Sequence, residues 1–250
     1  MCHAYSCIID REKKVTWKMG IDSHEDLIKI AGLPDDTIDP EKIRFCRVEI
    51  APRNGSYLEP DKWIFKIDMD ITPTWWTLAH KRACEKTHKE WLVDLDQILI
   101  RKPIIHPFKI APPEITDEHI ALVKEWASVR ASVWPSVRAS VGDSVGDSVW
   151  ASVGASVGDS VWASVGDSVW ASVRASVRAS VRDSVWAYTG SFFILPRDAW
   201  KYTENIKTNE YPFLPLVKLW EQGLVPSFDG KTWRLHGGKD AAILWAGGNL

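Results

Sequence analysis

The chain has 250 residues, 45% of them apolar, and a formal net charge of −2. That is enough apolar material for a core, and too balanced a charge for a general pull toward nucleic acid or anionic membrane. No apolar run approaches the ~18 residues of a membrane span. The opening "MCHAYSCIIDREKK" lacks the basic-then-apolar order of a secretory signal, so a cytoplasmic location is expected. Cys2, Cys7, Cys46 and Cys84 show no framework spacing and fit a reducing compartment in which they stay as thiols.

Residues 1–126 read as an α+β domain. "AYSCIID" and "VTWKMG" flank the polar "REKK" as a hairpin. "SHEDLIKIAG" follows as a helix capped by Ser23 and ended by Gly32. Two strand-like runs, "IRFCRVEIA" and "WIFKIDM", are separated by turn residues that include "RNG". From Thr74 to about Leu99 the period becomes helical, with Trp76, Ala79, Ala83, Trp91, Leu95 and Ile98 near one face. The prolines of "RKPIIHPFKIAPP" make an extended connector, and the short helix "TDEHIALVKEW" leads onward.

Residues 127–186 are fifteen uninterrupted tetrads of the form [A/D/P]-S-V-[R/W/G], each keeping Ser and Val. One long helix is disfavoured, because Ser, Val, Gly and Asp are mediocre to poor helix formers. A four-residue spacing also walks the Val stripe around a helix by about 40° per tetrad. Disorder is disfavoured by Val at every fourth position and by five Trp. The expectation is therefore a short β-solenoid with Ser-Val as a minimal strand and the other two residues as a corner. Laid out with three tetrads per coil, Ala127, Ala139, Ala151, Ala163 and Ala175 form one column. A blander origin fits the same variation: Trp, Arg and Gly can differ by the first base of one codon, and Asp and Pro are each one base from Ala, as duplication of a short DNA unit followed by point changes would leave.

Residues 187–250 read as a small α/β cap over the repeat's end. "YPFLPLVKLWEQG" is a short helix ending at Gly223, and "LVPSFDGKTWRLHGG" a hairpin turning at Asp229-Gly230. "LHGGKDAA" follows a hairpin and opens no helix, so it is a turn.

The stretches "SVWAYTGSFF" and "LWEQGLVPSFDGKTWRLH", joined to the tetrad array, resemble a group of uncharacterised phage and bacterial proteins, a likeness that implies no activity. The tetrad is also distantly similar to pentapeptide-repeat proteins, whose A-[DN]-L-x-x units build a four-sided solenoid. Here the unit is one residue shorter and carries Val in place of Leu.

Three sets of residues could carry chemistry. His80, Cys84 and His88 recur every fourth residue on one helix, and His and Cys are good zinc ligands; they could equally be a core thiol and two surface imidazoles. Cys2, exposed by removal of Met1, would be an N-terminal nucleophile with its own amine as base. The "MC" start resembles class II glutamine amidotransferases and the family that crosslinks abasic DNA; His3 stands where both usually carry Gly. The third set is position four of the repeat: Trp134, Trp150, Trp162, Trp170 and Trp186 with Arg130, Arg138, Arg174, Arg178 and Arg182. Stacking aromatics plus arginine suit single-stranded nucleic acid. Five Asp balance the five Arg of the array, which favours recognition of a protein, or packing of the Trp against the chain itself or a second copy. Asp94, Asp96 and the run "PDDTIDPE" read as solvated surface, and no phosphate-binding loop, dinucleotide fingerprint or serine elbow is present. The expectation is a non-enzymatic scaffold that binds a protein partner or self-associates, with no cofactor unless zinc binds, and no membrane contact.

Overall fold

The computed structural model describes residues 5–35, 39, 42–145, 150, 153–154, 165, 168–169 and 178–248, with the exception of 53–61. Two compact units emerge, one of residues 1–100 with 141–153 and one of residues 101–140 with 154–250.

The first unit is built on an antiparallel sheet in the order β2-β1-β3-β4, from β1 (Tyr5–Asp10), β2 (Val15–Thr16), β3 (Phe45–Ala51) and β4 (Ile64–Ile67). Alternation along β1 sends Ser6 and Ile8 to one face and Tyr5, Cys7 and Ile9 to the other, and all five are buried. The first face is covered by α1 (His24–Ala31), whose Leu27 and Ile28 pack on Ile8 and Phe45. Ser23 caps this helix by accepting the Asp26 N–H, and Gly32 ends it in the left-handed region at φ 66°. The second face is covered by α2 (Leu78–Asp96), which presents Cys84, His88, Trp91 and Leu95. The expected apolar face of α2 is rotated: Ala79 is exposed, and the buried stripe runs His80, Cys84, His88, Trp91, Leu95.

The repeat is where the structure overturns the sequence. The β-solenoid and its three-tetrad coils do not form in the described tetrads, which are helical. α3 (Asp117–Val129) runs into the first tetrad, a 3-10 turn covers Arg130–Ser132, α4 spans Val133–Val145, and α5 spans Arg178–Gly190. The physical reason lies in segment length. A drift of about 40° per tetrad would disperse the Val stripe of a sixty-residue helix, but over three tetrads it stays within the width of an ordinary apolar face. Each of α4 and α5 has 13 residues. Pro135 supplies one break: its ring would collide with the carbonyl four residues back, at Ala131, inside the 3-10 turn. Val133, Val137, Val141, Val181 and Val185 are accordingly all buried. Burying each contributes about 1.5–3 kcal/mol, more than the few tenths by which Ser and Val lag behind better helix formers.

The serines follow the valines inward, and Ser136, Ser140, Ser180 and Ser184 are buried. Ser136 Oγ has no hydrogen-bond partner, and the other three hydroxyls are satisfied in two ways. Ser184 Oγ donates to the Ser180 carbonyl one turn back, at 3.0 Å. Others accept from the chain that follows the repeat: Lys201 N–H donates to Ser140 Oγ (2.8 Å), and Phe228 N–H to Ser180 Oγ (3.0 Å).

That following chain completes the second unit. α6 (Leu214–Glu221) packs on α3 and α5, and an antiparallel sheet of β5 (Leu224–Phe228), β6 (Trp233–Gly237) and β7 (Ala242–Gly247) continues from it. The expected helix end at Gly223 (φ 79°) and the hairpin turn at Asp229-Gly230 are both present. Asp229 Oδ1 accepts the N–H groups of Lys231 and Thr232, which with the neighbouring Arg234 holds its carboxyl down at about 2. β7, beyond the "LHGGKDAA" turn, was not legible in the sequence.

Candidate functional site

The three α2 candidates share one face, as their spacing predicts, but they do not present one ligand set. His80 Nδ1 accepts the Thr77 N–H at 3.1 Å, and a backbone N–H can only donate, so Nε2 carries the proton and donates to the Arg11 carbonyl at 3.0 Å. Both nitrogens are thereby used to fix the N-terminus of α2. The same device recurs at α3, where Thr116 N–H meets His119 Nδ1 at 3.1 Å and His119 Nε2 lies 2.8 Å from Gln222 Oε1. A Thr-x-x-His sequence before a helix is thus a capping signal that the metal-ligand reading passed over.

Cys84 lies fully buried, as do Cys7 and Cys46, and all three are free thiols. Burial raises the Cys7 thiol well above its ordinary value, reinforced by hydrogen bonding to Cys84, and pushes Cys46 up to about 12. Cys7 and Cys46 therefore stay protonated and inert. His88 stacks on Trp91 (5.9 Å between centroids) beside Tyr5 and Trp63, and burial lowers its pKa to about 4. It is a neutral member of an aromatic cluster.

Among the repeat candidates, Trp134 is 39% exposed, Trp186 is half-buried and Trp150 is buried. The Trp134 and Trp186 rings meet at 4.8 Å, and the Arg138 guanidinium lies 5.9 Å from the Trp134 ring centre. Arg130 bonds Asp183 at 3.1 Å and spreads over Phe228 and Trp233. The contacts Arg130 to Asp183, Trp134 to Trp186 and Val137 to Gly190 rise together in number, so the first half of α4 and α5 run alongside each other in one direction. A side chain at Gly154 would meet the Trp186 ring at 3.0 Å, so a small residue at position four accommodates a large one elsewhere in the array. Arg138 and Arg182 face solvent, as do Ala131, Pro135, Asp143 and Ala179. Cys2, Trp162, Trp170, Arg174 and the Arg178 side chain lie outside the described residues.

Two further constellations were missed by the sequence reading. Ser227 Oγ lies 2.7 Å from His236 Nε2, and His236 Nδ1 lies 3.0 Å from the Ala241 carbonyl, which places the proton on Nδ1 and lets Ser227 donate to Nε2. This is the geometry of a nucleophile and its base, but both residues are completely buried, so no substrate reaches them. They satisfy each other across β5 and β6. The second constellation is on the α1 side of the N-terminal sheet, where ligand atoms of His24, Glu49 and Asp68 all lie within 4.8 Å of one another.

Comparison with protein-family models, with curated proteins and with solved structures finds no match to this chain. No helix among the described residues is long and apolar enough to cross a membrane.

Proposed function

We propose that the protein is a non-enzymatic, cytoplasmic scaffold whose tetrad helices recognise a protein surface, that of a second copy included. The observation that carries this reading is the division of labour within the tetrad. Its constant Ser-Val pair turns inward from Ser136 through Val141 and again from Ser180 through Val185, whereas exposed residues at Trp134, Arg138 and Arg182 come from the variable fourth position. A repeat of this kind can change what it displays without changing its core. Tryptophan and arginine are the residues in which interface energy concentrates, and the balanced charge of the array suits a protein better than a polyanion.

The test is the triple variant Trp134→Ser, Arg138→Ala, Arg182→Ala, compared with wild type by sedimentation velocity and by quantitative crosslinking in the host. Arg138 and Arg182 are exposed, and Trp134 is 39% exposed but meets the Trp186 ring, so the variant keeps its helical circular dichroism at a lower melting temperature, and assembly is compared well below that temperature. A homo-oligomer or crosslinked complex formed by the wild type should weaken at least about tenfold in the variant, since loss of one or two anchoring side chains removes about 2 kcal/mol or more. A variant that retains every assembly of the wild type overturns the proposal. Trp186→Ser behaves differently: because Trp186 packs on Trp134 and over Gly154, its loss should lower stability by about 2–4 kcal/mol in chemical denaturation.

A further inference from the structure

We propose that His24, Glu49 and Asp68 bind one first-row divalent transition-metal ion on the α1 face of the N-terminal sheet. Sheet register builds the site. Glu49 on β3 stands opposite Ser6 on β1 and Lys66 on β4, so Ser6, Glu49 and Lys66 share the face over which α1 sets His24. Asp68 follows β4 at the same edge.

The imidazole geometry points to a cation. His24 Nε2 is 3.2 Å from the Val48 carbonyl, an acceptor, so that nitrogen carries the proton. In the neutral ring Nδ1 then presents its lone pair toward Asp68 Oδ2, 3.5 Å away. A lone pair facing a carboxylate oxygen is repulsive unless a positive charge lies between them. Donation of the distal N–H to a backbone carbonyl is also how metal-bound histidines are oriented. The carboxylate is divided in the same sense: Oδ1 takes Lys66 Nζ at 2.7 Å, which leaves Oδ2 for the site.

Two independent features support a ligand at this place. Ser6 is 2% exposed and its buried Oγ has no hydrogen-bond partner, directly across from Glu49 on the site's own face. An orphaned hydroxyl in that position costs about 1–3 kcal/mol, which a bound ion or its water would offset. Glu49 is itself buried to 8% exposure, and a buried carboxylate calls for a cation. Lys66 lies on Asp68, and Arg47 grips Asp35 with two 2.9 Å bonds.

The chemistry of the donors selects the ion. One imidazole with two carboxylates suits zinc, manganese or iron(II) better than calcium or magnesium, which prefer oxygen alone. Ligand atoms bound at about 2.1 Å lie no more than about 4.2 Å apart, so closure from 4.8 Å needs less than an ångström of movement. Asp68 also lines an open cleft of about 500 Å³ with Arg47, Lys66 and Asp70.

The experiment is isothermal titration of the chelator-treated full chain with Zn²⁺ and Mn²⁺, repeated on Asp68→Asn and Glu49→Gln. Saturable binding of one equivalent is expected, with affinity reduced at least about tenfold in each variant and unchanged in His88→Gln. Asp68 is partly exposed, so Asp68→Asn decides the matter even where Glu49→Gln fails to fold. Absence of saturable binding, or wild-type affinity in Asp68→Asn, overturns the proposal and leaves His24 and Asp68 as a plain side-chain pair. A Co²⁺ titration gives the second readout: a thiolate-to-cobalt charge-transfer band would place the ion on cysteine and also overturn the assignment.

Discussion

Trp220→Ala is expected to destabilise the second unit by about 3–5 kcal/mol, read as a fall in the urea midpoint of its unfolding transition. Trp220 is completely buried on α6, and its ring stacks on Tyr188 of α5 with centroids 4.9 Å apart. Its indole N–H donates to the Ile105 carbonyl at 2.9 Å, and the Ile105 N–H donates to Tyr188 Oη at 2.8 Å. One residue of the proline-rich connector is therefore clamped between the last repeat helix and the helix that follows it. Truncation to alanine empties the space and orphans a carbonyl. Trp220→Phe keeps a ring against Tyr188 and loses only the donor, so it should cost about 1–3 kcal/mol. Equal, small losses in both variants would mean that α6 does not hold the repeat helix through this contact.

Lowering the pH from 7 to 4 should weaken the first unit, and His88 should account for about 2–3 kcal/mol of that loss. Burial alone among Tyr5, Trp63 and Trp91 lowers its pKa from 6.5 to about 4. Between these values the unfolded chain holds a proton that the folded chain refuses, so stability rises with pH across the window. The contribution is complete above pH 6.5 and is lost as pH falls through 4. His88→Phe keeps an aromatic ring in the cluster and removes the titration. The urea midpoint of the variant should therefore change less between pH 7 and pH 5 than that of the wild type. His236 is shifted the same way by burial, so the difference between variant and wild type, rather than the raw slope, isolates His88. An identical slope in both would show that His88 is solvated.

Local chemistry carried much of the architecture. The Ser23 cap, the Gly32 stop, the strands around Ile8, Val48 and Phe65, the helix end at Gly223 and the Asp229-Gly230 turn all depend on residues within a few positions of one another. Sequence alone determines such features because their energy comes from one or two neighbouring backbone groups. The tetrad array was different. Its period of four lies close enough to the helical 3.6 to serve three turns and far enough from it to fail over sixty residues, so intrinsic preference did not select a state. Tertiary structure decided it, through a break at Pro135, burial of Val137 and Val181, and use of Ser140 and Ser180 as acceptors for the chain that follows.

The sites divide along the same line. The spacing of His80, Cys84 and His88 placed them on one helix face, but what each does there was fixed by partners far away in sequence, Arg11 for His80 and Tyr5 and Trp63 for His88. The cluster of His24, Glu49 and Asp68 had no local signature, because its members are separated by about twenty residues or more and lie on a helix start, a strand and a strand end. Sequence by itself determined the capped helices, the strands and a repeat with a constant apolar core. Only the tertiary structure decided that the repeat is helical and which titratable groups face one another, because both depend on packing between segments whose attraction no local pattern encodes.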